Sequence, residues 1–244
     1  MKKTDIMGVA FDDMTMEEAV ARAAELAKTG EGAYVATPNP ELVLMAQKDP
    51  AYARTLSGAA LTLPDGIGVI YAAKLLGRPL RGRVPGIDFA GALMERLARE
   101  GLKLYLLGAK PGVAEQAAAN LKEKYPGLTV CGVHDGYFQE DGPVVEDIRA
   151  AGADVVFVCL GAPKQEQWME RNGKATGAGL LVGLGGSLDV FAGTVRRAPK
   201  WMQKTGLEWL YRLIKQPSRV GRMAKLPGFL VKAAFWKEKG GDEA

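Results

Sequence analysis

The sequence predicts an α/β fold: a mostly parallel, Rossmann-like sheet with helices on both faces, plus a basic amphipathic C-terminal helical appendage. Three observations predict it. Short apolar runs alternate with longer stretches of helical periodicity, the pattern of parallel strands joined by crossover helices. Those runs are apolar at successive positions, as in strands covered on both faces. Glycines and polar residues gather where the runs end. With 244 residues, the chain is long enough for one large domain, or one domain and an appendage.

The elements follow in order. Thr15-Met16-Glu17-Glu18 is a capping box that opens a helix running to about Lys28. Ala33–Thr37 is a short strand ended by Pro38-Asn39-Pro40, and Glu41–Gln47 is helical. Leu61-Thr62-Leu63 is a strand that stops at Pro64-Asp65-Gly66 before an apolar helix from Ile67 to Leu76. A helix follows Gly86. Lys103–Leu107 is a buried strand, followed by Gly108-Ala109-Lys110-Pro111-Gly112 and an alanine-rich helix to about Lys124. Leu128–Val133, Asp154–Leu160 and Leu180–Leu184 complete the strands, the first two each linked to a helical stretch. The boundary between core and appendage falls near Pro199, giving residues 1–198 and 199–244.

Composition is that of a soluble globular chain, 48% hydrophobic and 25% charged. It excludes a disordered, collagenous or disulfide-stapled protein. The single histidine, His134, leaves no basis for a multi-histidine metal site, and it reads as part of a post-strand turn. Cys131 and Cys159 lie in apolar runs, where free thiols act as small core residues, so a reducing compartment is expected. Asp5, Asp12 and Asp13 come too early for a secretory h-region. No apolar run is long enough to span a bilayer.

Charge is distributed unevenly. Arg196 to Lys239 holds twelve Lys/Arg against Glu208 and Glu238, a net +10, whereas the first 195 residues carry −4. Trp201, Trp209, Leu210, Leu213 and Ile214 recur at roughly helical spacing among those cations. Aromatic and aliphatic residues on one side with Lys and Arg on the other describe a helix lying in an anionic membrane interface. The same pattern fits a helix docked on its own domain or on a neighbouring subunit. A nucleic-acid partner is not expected, since no reading motif is present. Val69, Ile70 and the apolar tail leave a homo-oligomer open. An apolar tail also predicts poor solubility, relieved by truncation near Pro199.

Ligands of parallel sheets bind beyond the carboxyl ends of the strands. There the sequence collects Thr37-Pro38-Asn39-Pro40, Asp65-Gly66, Gly108-Ala109-Lys110, Gly161-Ala162-Pro163-Lys164-Gln165 and Gly183-Leu184-Gly185-Gly186-Ser187, with Asp189 just beyond. Glycines let backbone amides approach an anion, and helix starts add partial positive charge. The known nucleotide motifs are broken. Gly183-x-Gly185-x-x-Leu188 lacks its third glycine, and no P-loop pattern occurs. Asp65 stands out as a carboxylate at a strand end before a helix; a plain N-cap is the alternative. Thr37, Asn39 and Gln165 have equivalent readings as turn or helix-face residues. Arg83 occupies a loop with no hydrophobic face to serve.

Five motifs then occur in one order: Thr37-Pro38-Asn39-Pro40-Glu41, Pro64-Asp65-Gly66-Ile67-Gly68, Arg83-Val84-Pro85-Gly86, Gly161-x-Pro163-Lys164-Gln165-Glu166 and Arg196-Arg197-Ala198-Pro199-x-Trp201. Together they resemble the WecG/TagA/CpsF family of bacterial glycosyltransferases, from the N-terminal region to about Arg222. The resemblance implies sugar transfer from a UDP-sugar to a polyprenyl-diphosphate-linked acceptor at the cytoplasmic face of the membrane. For its TagA-like branch it implies inverting transfer of N-acetylmannosamine onto GlcNAc-diphospho-undecaprenol, which begins the wall teichoic acid linkage unit. Asp65 then matches the proposed general base and Thr37 the active-site threonine, while Asn39, Arg83 and Gln165 match pocket positions. The appendage resembles the part that binds membrane and completes the site, with Arg212, Arg219 and Arg222 as candidates.

No cofactor is implied. No Asp-x-Asp pair is found to hold a metal, and Asp12-Asp13 reads as remote from the rim loops. The leaving diphosphate is therefore expected to rest on backbone amides and arginines. The identity of the donor sugar is not written in these motifs; the uronic acid of N-acetylmannosamine is the alternative. A nucleotide-binding oxidoreductase is disfavoured by the broken fingerprint.

Overall fold

A computed structural model describes residues 2–215 and 225–236. An antiparallel hairpin, β1 (Lys3–Ile6) and β2 (Val9–Asp12), precedes α1 (Met16–Ala27), whose Thr15–Glu18 capping box is formed as expected. The main sheet contains β3 (Ala33–Ala36), β4 (Leu61–Thr62), β5 (Lys103–Gly108), β6 (Thr129–His134), β7 (Val155–Cys159) and β8 (Leu180–Gly183). Its order is β4-β3-β8-β7-β5-β6, and every pairing is parallel. All six carboxyl ends therefore face one rim. Among the described residues, no helix is long and apolar enough to cross a membrane.

Alternation along each strand builds two cores. In β5, Tyr105 and Leu107 join one apolar cluster, whereas Leu104 and Leu106 join the other. The period of two sends successive side chains to opposite faces, and both faces are covered. The first cluster takes in α2 (Pro40–Ala46), α3 (Pro50–Ser57), α4 (Ile67–Leu75), α7 (Asp141–Ala151) and α8 (Lys164–Thr176). Beneath the opposite face lie α1, α5 (Gly86–Glu100), α6 (Val113–Lys124) and α9 (Ser187–Phe191).

Three short helices close the described chain: α10 (Lys200–Lys204), α11 (Glu208–Lys215) and α12 (Lys225–Ala234). The last packs on α4 and α2, burying Phe229 and Ala233 in the first core. Its other side leaves Val231 and Phe235 exposed. Docking on the protein's own body thus accounts for one face of this helix.

Three sequence expectations change. The hairpin and α3 have no counterpart in the sequence reading. Asp12, read only as an acid away from the rim loops, has a structural role: it is fully buried, and its carboxylate accepts a 2.8 Å hydrogen bond from the amide of Thr62 in β4. Val69 and Ile70 do not offer an interface, because both are buried in the chain's own core; the exposed apolar residues of α4 are Tyr71 and Leu75.

Candidate functional site

β3 leads into α2 on one face of the sheet, and its neighbour β8 leads into α9 on the other. Adjacent strands that send their chains to opposite faces open a crevice between their ends. Thr37 stands at that crevice, 9% exposed, and its hydroxyl donates a 3.0 Å hydrogen bond to the carbonyl of Gly183. Gly86, the first residue of α5, closes in behind it: a Cβ there would lie 3.2 Å from the Thr37 Oγ1.

Asp65 reaches the same place by backbone lacing. Leu63 N–H donates to the Ala36 carbonyl at 2.9 Å, and Asp65 N–H to that of Pro38 at 3.2 Å. Gly66 adopts φ +86°, which glycine tolerates, and turns the chain against Pro40 and Asn39. Gly66, and not Asp65, is the N-cap of α4. The plain-cap alternative applies instead to Asn39, whose Oδ1 accepts from the amides of Glu41 at 2.9 Å and Leu42 at 3.2 Å. The loop of Arg83 joins them, since Val84 N–H donates to the Pro64 carbonyl at 2.9 Å.

Gln165 lies in the first turn of α8 and is 3% exposed. Its Oε1 accepts from Gly185 N–H at 2.9 Å, and its Nε2 donates to Glu166 Oε1 at 2.7 Å. Those partners fix which way the carboxamide points. A Cβ at Gly183 would sit 2.9 Å from Met169 Cε and 3.0 Å from Gln165 Nε2, so a larger residue there would push on both side chains. Glu166 is fully buried, and burial raises its carboxyl pKa. Burial chiefly, and then the Glu166 charge, push up the neighbouring Tyr52 phenol. In the sequence Glu166 is only the end of a motif; its signal is an acidic side chain close to Trp168 and Met169, with which it is buried in α8.

Further along the rim, Gly108 is buried at φ +127°, and a Cβ there would lie 2.4 Å from the backbone oxygen of Cys159. Lys110 is exposed on the loop that follows, and Gly136 N–H ties the next loop to the Ala109 carbonyl at 2.9 Å. The Cys159 thiol beneath is pushed up to about 12 by burial, as expected of a core thiol. Asp189 lies half-buried in α9, where its carbonyl accepts from Val195 N–H. His134 is the last residue of β6, edge-on to Phe138, so it lies in the strand and not in the following turn that the sequence suggests.

Thr37, Asn39, Asp65 and the Arg83 loop thus gather at the β4/β3 side, Gln165 and Gly185 at the centre, and Gly108 and Lys110 at β5. From β3 to β5 is three strand spacings, about 14 Å. Arg212 lies in α11, while Arg219 and Arg222 lie outside the described residues. Among the described residues, no three His, Cys, Asp or Glu side chains form a group that could hold a metal ion.

A model of the glycosyl transferase WecG/TagA/CpsF family matches residues 4–242. A Bacillus spizizenii (strain ATCC 23059 / NRRL B-14472 / W23) protein is 38% identical over 200 residues, 82% of this chain and 78% of its own length. A Staphylococcus aureus (strain MW2) protein is 35% identical over 240 residues, 97% of this chain and 94% of its own. Both are named N-acetylglucosaminyldiphosphoundecaprenol N-acetyl-beta-D-mannosaminyltransferase.

Proposed function

The chain belongs to the WecG/TagA/CpsF family of glycosyl transferases, and we propose how its rim performs the transfer. It is a hexosyltransferase that moves N-acetylmannosamine from UDP-ManNAc to GlcNAc-diphospho-undecaprenol in wall teichoic acid linkage-unit synthesis. The observation that carries the assignment of roles is the lacing of Asp65 to Pro38 and of Thr37 to Gly183 at one crevice.

In this reading the acceptor hydroxyl attacks the anomeric carbon from the face opposite the nucleotide. The new C–O bond forms as the bond to the UDP oxygen breaks, which inverts the centre. Asp65 takes the hydroxyl proton, and the UDP departs with the bonding electron pair. Thr37 holds the β3 and β8 ends at the spacing the sugar needs. Backbone amides near Gly108 and Gly185, with Lys110 and Arg83, stabilise the charge on the diphosphate. Asn39, Gln165 and Asp189 complete the pocket.

Residues 1–198 form the catalytic core and 199–244 the appendage. The appendage attaches the enzyme to the anionic inner face of the plasma membrane, where the lipid acceptor resides, and Arg212, Arg219 and Arg222 reach the acceptor or leaving diphosphate. The exposed Trp201, Ile214, Val231 and Phe235, together with the net +10 of residues 196–239, support this.

The test is radiolabel transfer to a GlcNAc-diphospho-lipid, with UDP-ManNAc and its uronic acid supplied in parallel. Transfer from UDP-ManNAc is expected. Transfer from the uronic acid alone would move the enzyme to another branch of the family.

A further inference from the structure

The motif Arg196-Arg197-Ala198-Pro199 has no part in that chemistry, yet Arg197 bridges two carboxylates, Asp88 and Glu208. Its Nη1 and Nη2 fork onto the Asp88 carboxylate at 2.5 and 2.8 Å. Its Nε donates to Glu208 Oε1 at 3.1 Å. The Arg197 side chain is only 17% exposed and that of Glu208 only 12%, while that of Asp88 is 42% exposed. Asp88 belongs to the first turn of α5, next to Gly86 and Thr37, and Glu208 opens α11. One side chain therefore fastens both ends of the segment that precedes α11.

That segment crosses the candidate site. Arg83 Nη2 donates to the carbonyl of Gln203 in α10 at 3.4 Å. Gly206, at φ +76°, presses on Ile67, the residue that follows Asp65-Gly66; a Cβ there would lie 3.0 Å from the Ile67 side chain. Ala198 and Met202 are buried beneath. The stretch from Arg197 to Glu208 thus touches the start of α5, the Arg83 loop and the start of α4 in succession.

We propose that Arg197 is a positioning residue that clamps the start of the appendage across the active-site rim, holding Gln203 where it aims the Arg83 guanidinium. A bidentate arginine suits this task because its planar fork fixes orientation as well as charge, which a lysine does not. Catalysis is then coupled to how the appendage sits, with Asp88 and Glu208 as the two anchor points. The inference rests on the transferase reading, since it gives Arg83 its purpose.

The experiment compares the wild type with Arg197→Ala, Arg197→Lys and the milder Asp88→Asn, using the full chain. The readouts are kcat and donor KM per folded enzyme, and tryptic cleavage between residues 200 and 215. The expected result is a kcat about tenfold lower for both Arg197 variants, donor KM within about threefold, and cleavage there about tenfold faster. Asp88→Asn lies between. Arg197→Lys behaving as the wild type would overturn the fork geometry. Unchanged kcat per folded molecule, or wild-type protection from trypsin, would overturn the clamp. If the wild type itself transfers nothing, the transferase reading fails, and the tryptic pattern alone still decides whether Arg197 holds the segment.

Discussion

The hydroxyl of Thr37 donates to the carbonyl of Gly183 across the β3/β8 crevice at 3.0 Å, in a position 9% exposed. This bond ties the two strands whose chains part to opposite faces of the sheet. Thr37→Val keeps the shape and removes the donor. It is expected to destabilise the protein by about 1–2 kcal/mol, with Thr37→Ser close to the wild type, as measured by urea unfolding. A Val variant as stable as the wild type would make the bond energetically idle.

Gly108 is a position on the rim where a side chain is poorly tolerated. An added Cβ would lie 2.4 Å from backbone and would force an L residue into φ +127°. Gly108→Ala is expected to cost about 2–4 kcal/mol, with a lower Tm. A Tm within a degree of the wild type would show that the β5 exit is free to move.

Glu166 gives a pH dependence whose sign follows from its raised pKa. The folded protein holds this proton to higher pH than the unfolded chain does, so folding loses free energy as pH rises above the ordinary carboxylate range, near 4.5. Glu166→Gln removes that loss while keeping an acceptor for Gln165. Its stability relative to the wild type is therefore expected to increase from pH 5 to pH 8, read from urea midpoints. A difference that is flat with pH would mean that the buried carboxyl does not titrate differently on folding.

The sequence made the strand–helix alternation legible because apolar runs and capping residues are local signals, and the Thr15–Glu18 capping box formed as read. The rim was legible because glycines and polar residues break those runs on one side. What stayed hidden is set by partners distant in sequence. Asp12 looked like a stray acid until β2 met Thr62, and Arg197 looked like one more tail cation until Asp88 met it. Asn39 and Asp65 are alike as strand-end polars, and only the backbone distinguishes them: Asn39 spends its side chain on the α2 cap, whereas Gly66 takes that place before α4.

The appendage reverses one expectation. Truncation near Pro199 removes α12, which covers α4 and α2 with Phe229 and Ala233 fully or almost fully buried. Truncation is thus expected to lower the Tm and to expose apolar surface, and Phe229→Ala in the full chain to cost about 3–5 kcal/mol. A truncated protein as stable as the full chain would show that α12 contributes nothing to the core.

The central claim is that Asp65 takes the acceptor proton. Transfer from UDP-ManNAc to a GlcNAc-diphospho-lipid, measured for the wild type and Asp65→Asn with and without EDTA, tests it most directly. Transfer is expected to resist EDTA and to fall about 100-fold or more in Asp65→Asn, with UDP still raising the variant's Tm. Full-rate transfer by Asp65→Asn would contradict it.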